Sequence, residues 1–470
     1  MIQVDRKIKG IFCVIGAFLL HFSLGTVYTF GNLSPYIASY LKYRTDNTWI
    51  NNGHLVWVFS LNVFFLGLTM SFGGFLEKKI GARITCLCGS WIMSIGTIST
   101  YFSIKSGIWL VIFSYGIAYG FGTGITYSVA VATAIKWFPK RRGMVSGIVT
   151  GGFGLGSLIF NLIQTAYINP KNVAPNSTDL YEKYFVDDSV LDKVPFCFVL
   201  IGGMYAIIQL IGVVMLTDPT PDKEHKEMCS DNEILTDIEF KIQSDDAEML
   251  KETKSFSKEF DFNVKEAVKN CRFWILSFTF FFNGMFIVIH SSYYKSFGQT
   301  FISDDRYFSI VGAVAAIFNS VGRIIWGTLV DFFSYRKVMT SLTVLKSLFI
   351  GSFFFCQFIE AEVGAKIMYF LWVCFLFFCL SGSFGLFPAI TSQCFGNKNL
   401  AIIYGLIVIS YSISAIIGAL ISSLLLPRIQ YGGVFLIAVV SSLCSTVLTQ
   451  CFRNSITDKL HSKDKEMIFI

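Results

Sequence analysis

Long apolar runs separated by short polar breaks dominate this chain. Runs long enough to cross the ~30 Å hydrocarbon layer as helices fall near residues 10–31, 54–76, 82–104, 107–137, 141–166 and 195–217. A second set falls near 273–297, 306–330, 338–359, 364–390, 399–425 and 432–452. Between the sets, "DPTPDKEHKEMCSDNEILTDIEF" and its continuation are charge-dense and poor in aromatic residues, the pattern of a linker and not of a packed core. The expected architecture is an all-α membrane protein with twelve transmembrane helices in two six-helix bundles. Its parts are an N-terminal bundle at 1–217, a charged linker at 218–271, a C-terminal bundle at 272–455 and a tail at 456–470.

Composition narrows the class. The chain is 53% hydrophobic and 16% aromatic, and only 15% of residues are charged, too few to cover a soluble domain of 470 residues. A lipid bilayer is the expected surrounding. Arg6, Lys7 and Lys9 precede an apolar run to about Gly31 that is longer than a signal core and lacks a small-residue cleavage site. It reads as the first span. Lysine and arginine also cluster after spans 2, 4 and 8 and in the tail, all on one side of the layer. The positive-inside rule then puts both termini and the linker in the cytoplasm. The acidic loop at 167–194, with the sequon Asn176-Ser177-Thr178, falls on the opposite side. A plasma membrane and an organelle membrane fit equally. The net charge of +7 is spread out, so no nucleic-acid partner is expected. The twelve cysteines show no metal-ligand spacing, and no catalytic constellation stands out. The reading is a non-enzyme without metal or cofactor. The glycine runs "GFGTG" and "GGFGLG" lie inside apolar helices and lack dinucleotide spacing, which assigns them to close helix packing.

The two halves echo each other. "GGFLEKKIGAR" after span 2 matches "WGTLVDFFSYRK" after span 8, with Gly74 and Gly327 lying 253 residues apart. "WFPKRRGMVSG" before span 5 has a weaker partner in "CFGNKNLAIIYG" before span 11. A repeated element order at a fixed offset means a duplicated six-helix unit, and such parallel repeats place a substrate site at the midplane between them.

Arg323 is the most informative residue. A centred arginine costs at least ~2.5–3.5 kcal/mol on insertion scales. Snorkelling is the rival explanation, because Asp331 and the headgroups lie only about 10 Å further along the helix. The face argues otherwise: Gly312, Ala316, Asn319, Arg323 and Gly327 form a small and polar stripe suited to a protein interface or a wet cavity. Lys346, on a span with uniformly apolar flanks, is expected to snorkel. His21 and His290 lie within spans 1 and 7, where a structural histidine and a proton relay are both readable.

"GTLVD" followed by Arg336 and Lys337 resembles the signature of the major facilitator superfamily, in which glycines let helices approach while an acid and a basic pair lock a cytoplasmic gate. The first-half copy, with Gly74, Glu77 and Arg83, departs from it: Glu77 stands one place early, and Lys78 occupies the usual aspartate position. Within the superfamily, "GTVYTFGNLSPY", "KWFPKRRGMVSGIVTGGFGLGS" and "NSVGRIIWG" resemble the oxalate:formate antiporters and monocarboxylate transporters.

That resemblance implies a major facilitator fold and a secondary transporter of a small organic anion, most simply a monocarboxylate. Arg323 would bind its carboxylate, with Tyr28, Tyr127, Tyr411, Asn319 and His290 as the other cavity candidates. Asn319 stands where the proton-coupled relatives carry an acid, and His290 is the group nominated in its stead. A co-transported or exchanged proton or anion is left open, as are a neutral or zwitterionic solute and a non-transporting receptor or scaffold. The oxalate:formate antiporters carry a lysine near the position of Tyr411, so the resemblance with a tyrosine here implies one cavity cation and one substrate carboxylate.

Overall fold

The computed structural model describes residues 2–45, 50, 52–173, 175, 177–179, 182–219, 261–298, 300–302 and 304–452. Most of the charged linker, the tail and Asn176 lie outside the described residues.

The first half begins with α1 (Ile2–Leu24), a 3-10 turn (Gly25–Thr29) and α2 (Phe30–Arg44). The helix tightens at Gly25 because its Cα lies against the backbone of Phe153, where no Cβ would fit. The Thr26 and Thr29 hydroxyls then donate to the carbonyls three residues back, at 2.7 and 2.8 Å. Next come α3 (Asn52–Ile80), α4 (Ala82–Ser106), α5 (Ile108–Val111), a π-helical segment (Ile112–Ala118), α6 (Tyr119–Trp137) and α7 (Arg142–Ile168). A hairpin of β1 (Ser177–Asp179) and β2 (Glu182–Tyr184) and the short α8 (Asp188–Leu191) lead into α9 (Val194–Met215).

The second half opens with the short α10 (Val264–Lys269) and continues through α11 (Cys271–Gly298), α12 (Asp305–Phe332), α13 (Tyr335–Phe353), α14 (Glu362–Phe395) and α15 (Leu400–Cys451). α15 is two helices joined at a kink, where Gln430 adopts φ 55°.

Among the described residues, eleven helical segments are long and apolar enough to cross a membrane. α4 is the further long helix. Thr85, Ser90, Ser94, Thr97 and Thr100 dilute its apolar stretch, but all are buried. Thr97 and Thr100 also satisfy their hydroxyls on carbonyls four residues back, at 2.9 Å.

The halves meet along two seams, α7 with α12 and α3 with α15. Small residues make the seams possible, since helices in lipid gain by close packing and not by hiding apolar area. Gly143 and Gly147 of α7 lie against the backbones of Gly327 and Arg323 on α12, while Gly152 and Gly156 of the same helix lie against Phe18 and Phe22 of α1. Gly154 lies against Ser320 of α12, so the "GGFGLG" run packs in two directions at once.

The linker emerges and re-enters on one face, called here the linker face. On the opposite face, the segment after α7 is stitched to α2. Arg44 pairs with Asp188 and Asp192, at 2.5 and 2.8 Å, and Tyr36 stacks on Phe185.

Candidate functional site

Between the seams lies a small cavity lined from both halves. The first half supplies Val27 and Tyr28 from the 3-10 turn, Val63, Leu66 and Met70 from α3, Tyr127 from α6 and Phe153 from α7. The second half supplies Arg323 from α12, Phe384 from α14, and Tyr404, Val408 and Tyr411 from α15. The walls are apolar apart from one guanidinium and four tyrosine hydroxyls.

Arg323 is 1% exposed. Its Nε donates to Asn319 Oδ1 at 3.1 Å, one helical turn earlier. Its guanidinium carbon sits 5.2 Å from the Phe153 ring centre and 4.8 Å from that of Phe384, so one ring comes from each half. Neither Nη1 nor Nη2 has a hydrogen-bond partner among the described residues. The group is held at its base and on its faces, and its two terminal donors are open. Snorkelling does not account for it, since the side chain remains inside the protein.

Tyr28 and Tyr127 both set their rings edge-on to Phe153, with centres 5.5 Å apart. Tyr127 Oη has no partner among the described residues. Behind it, His21 packs its ring 4.6 Å away and shares Nδ1 with the Ala17 carbonyl at 2.9 Å. Tyr411 stacks on Phe280 and meets Phe384 edge-on. Asn319 is buried and acts on the cavity through Arg323.

His290 is placed apart from this cavity. It is fully buried in an aromatic nest of Phe286, Tyr294, Phe353 and Phe377, inside the second half. Lys346 also departs from expectation. It does not snorkel: it is fully buried, donates to Asn283 Oδ1 and lies 5.1 Å from the Phe286 ring. Asn283 Nδ2 in turn donates to Thr279 O and Ser445 Oγ, both at 2.8 Å. Lys346 sits about 16 Å into its helix from Tyr335, where α14 and α15 pack against α13.

Eight of the lining residues were not singled out in the sequence, among them Tyr404, Phe153 and Phe384. Tyr404, Val408 and Tyr411 recur at four and three residues, so the face that carries Tyr411 also carries Tyr404. That signal was present. Nothing in the sequence distinguishes Phe153 or Phe384 from the other phenylalanines.

At the linker face, Asp331 reaches across the seam. Its two carboxylate oxygens accept from the backbone N–H groups of Gly143 and Met144, each at 2.8 Å, at the positive end of the 27-residue helix α7. Gly327 permits this approach by lying against Gly143. The basic pair plays a different part from the one expected. Arg336 donates to Gln450 within its own half at 2.8 Å, and Lys337 is exposed. The cations acting on Asp331 are Arg142 and Arg141 of the first half.

The first-half copy of the motif also works differently. Gly74 lies against Ala401 and Ile402 across the seam. Glu77 pairs with Lys136 at 2.7 Å, and Arg83 donates to the Leu216 and Val214 carbonyls, all within the first half. The residue that crosses is Lys78, which donates to Asn399 Oδ1. Arg142 crosses too, donating to Ser392 O at 2.9 Å and Ser392 Oγ at 3.1 Å.

This architecture is shared. The chain is 27% identical over 450 residues to apicoplast pyruvate carrier 1 of Toxoplasma gondii, covering 86% of this chain and 81% of that protein. It is 23% identical over 379 residues to the oxalate:formate antiporter of Oxalobacter formigenes, covering 80% and 77%. The crystal structure of the Escherichia coli fucose:proton symporter superposes with a TM-score of 0.61, spanning 95% of this chain and all of that one at 11% identity, a likeness of fold. The family model for the Major Facilitator Superfamily matches residues 13–393 and 276–466. With its multi-pass helical fold and a cavity between paired bundles, the chain belongs to the Major Facilitator Superfamily of membrane transporters.

Proposed function

We propose that this protein is a secondary transporter that moves a small monocarboxylate across its membrane by alternating access. The observation that carries the reading is the open pair of terminal nitrogens on Arg323 in an otherwise apolar cavity. A carboxylate presents two oxygens at the spacing of those two donors, and a charge-assisted pair of this kind is worth roughly 1.5–3 kcal/mol per bond. Tyr28, Tyr127, Tyr404 and Tyr411 offer further donors for a carbonyl or hydroxyl oxygen. Val27, Val63, Leu66 and Met70 accommodate the apolar remainder.

A single cavity cation compensates one carboxylate. A dicarboxylate would bring a second charge into a low-dielectric site at a cost of several kcal/mol. The relatives named as a pyruvate carrier and an oxalate:formate antiporter support the substrate class. The cross-half contacts at the linker face support a gate closed on that side. With the linker and termini read as cytoplasmic, that corresponds to closure towards the cytoplasm.

Exchange of labelled pyruvate, lactate, formate and oxalate by purified protein in liposomes tests the reading. Saturable exchange of monocarboxylates with weak competition by oxalate is expected. Transport of a neutral or zwitterionic solute with no carboxylate exchange overturns it, and so does the absence of any exchange.

A further inference from the structure

The linker's end is built into the gate. Asp261 Oδ1 accepts the backbone N–H groups of Asn397 and Lys398, at 3.1 and 3.2 Å, in the turn between α14 and α15. Phe262 N donates to Phe395 O at 3.1 Å, and its ring meets that of Phe395 edge-on. The turn reverses direction at Gly396, where φ is 82°. These contacts pin it from outside.

The two acceptors that this turn region presents to the first half depend on the pinning. Asn399 Nδ2 donates to Phe262 O at 2.6 Å. A carboxamide is planar and carries its donor and acceptor on opposite sides. Anchoring the nitrogen on Phe262 therefore aims Oδ1 outward, where Lys78 of the first half meets it. Ser392, which accepts from Arg142, donates its hydroxyl to Asn397 Oδ1, and Asn397 is the residue whose backbone Asp261 holds. Among the described residues, Lys78 thus ends on Asn399 Oδ1, and one of the two Arg142 contacts ends on the Ser392 hydroxyl, both groups oriented through Asp261 and Phe262. The Asp331 clamp on α7 has no such dependence.

We propose that Asp261 and Phe262 are positioning residues of the linker-face gate: they set the acceptors for Lys78 and Arg142 and so hold the α14–α15 turn closed against the first half. The linker is then a working part of the transporter, and displacement of its end loosens one arm of the gate while the Asp331 arm stays engaged. The inference rests on the alternating-access reading, but its test does not require knowledge of the substrate.

Spin labels at cysteines replacing the exposed Lys79 and Lys398, with Cys88, Cys229, Cys271, Cys444 and Cys451 changed to serine, report the separation of the two sides of the gate in the full-length protein. Asp261→Ala removes both hydrogen bonds to the turn and is expected to raise the population at long separation roughly tenfold, the equivalent of one net charge-assisted bond. Asp261→Asn retains an acceptor oxygen and is expected to keep the short separation. A residue important only for folding would not show this split between the two variants. In transport, Asp261→Ala should raise the KM for anion presented on the opposite face, with a smaller change in kcat. An unchanged distance distribution in Asp261→Ala overturns the inference, as does equal opening in the alanine and asparagine variants. Failure of the transport reading appears separately, as absence of exchange by the unmodified protein.

Discussion

Replacing Arg323 separates a group that serves the substrate from one that serves the fold. With no anion bound, the guanidinium is a buried charge with one side-chain hydrogen bond, two ring faces and two open nitrogens. Burying such a charge without a counter-charge costs several kcal/mol, a cost that an apolar side chain of similar length does not carry. Arg323→Met should therefore leave the melting temperature in detergent unchanged or raised. Function should move the other way. Lysine at this position loses the second terminal donor, the bond to Asn319 and the planar fit between Phe153 and Phe384. Loss of one charged hydrogen bond, about 1.5–3 kcal/mol, weakens anion affinity roughly 10- to 150-fold. Methionine leaves the carboxylate without a partner, a loss of about 3–5 kcal/mol or roughly 150- to 5,000-fold. Binding is readable as ligand-induced thermal stabilisation, which follows RT ln(1 + [L]/Kd) and should vanish in the methionine variant. Exchange in liposomes gives the parallel kinetic measure. Anion-induced stabilisation in Arg323→Met within threefold of the parent would refute the reasoning, and so would a collapse in stability with binding retained.

Three further outcomes are expected. Tyr411→Lys adds a second cation to the cavity wall and should move the competition order towards oxalate; an unchanged order would show that Tyr411 does not face the bound anion. Lys346→Met should change anion affinity less than threefold, because Lys346 lies outside the cavity lining; a large loss of affinity at full stability would place Lys346 in the site. Tags at residue 240 and at either terminus should be accessible from one side of the membrane, and a tag near residue 176 from the other. Opposite-side labelling of residue 240 and the C-terminus would break the assignment of spans.

Much of the molecule follows from one-dimensional pattern. Span length against bilayer thickness sets the helices, and the offset between Gly74 and Gly327 exposes the duplication. A guanidinium on a small and polar stripe marks the site, because few other arrangements make a centred charge tolerable. Gly327 and Asp331 were legible through the resemblance carried by "GTLVD", although Asp331 was expected to act with Arg336 and Lys337 and instead accepts from the helix-end N–H groups of α7. What the pattern lacked was rotation. In lipid, the outward and inward faces of a helix are both apolar, so alternation does not say which phenylalanine meets a cavity and which meets a neighbour. Phe153 and Phe384 therefore became part of the site only once α7 and α14 were set against α12. The same ignorance misplaced His290, which turns into an aromatic nest, and Lys346, whose apolar flanks proved to be protein and not lipid. Partner choice was likewise tertiary. Glu77, Arg83 and Arg336 carry the charges that the gate motif calls for, yet each finds a nearer partner in its own half. Lys78, Arg142 and Asp331 cross the seam because the packing of α3 on α15 and α7 on α12 brings acceptors or helix-end N–H groups within their reach.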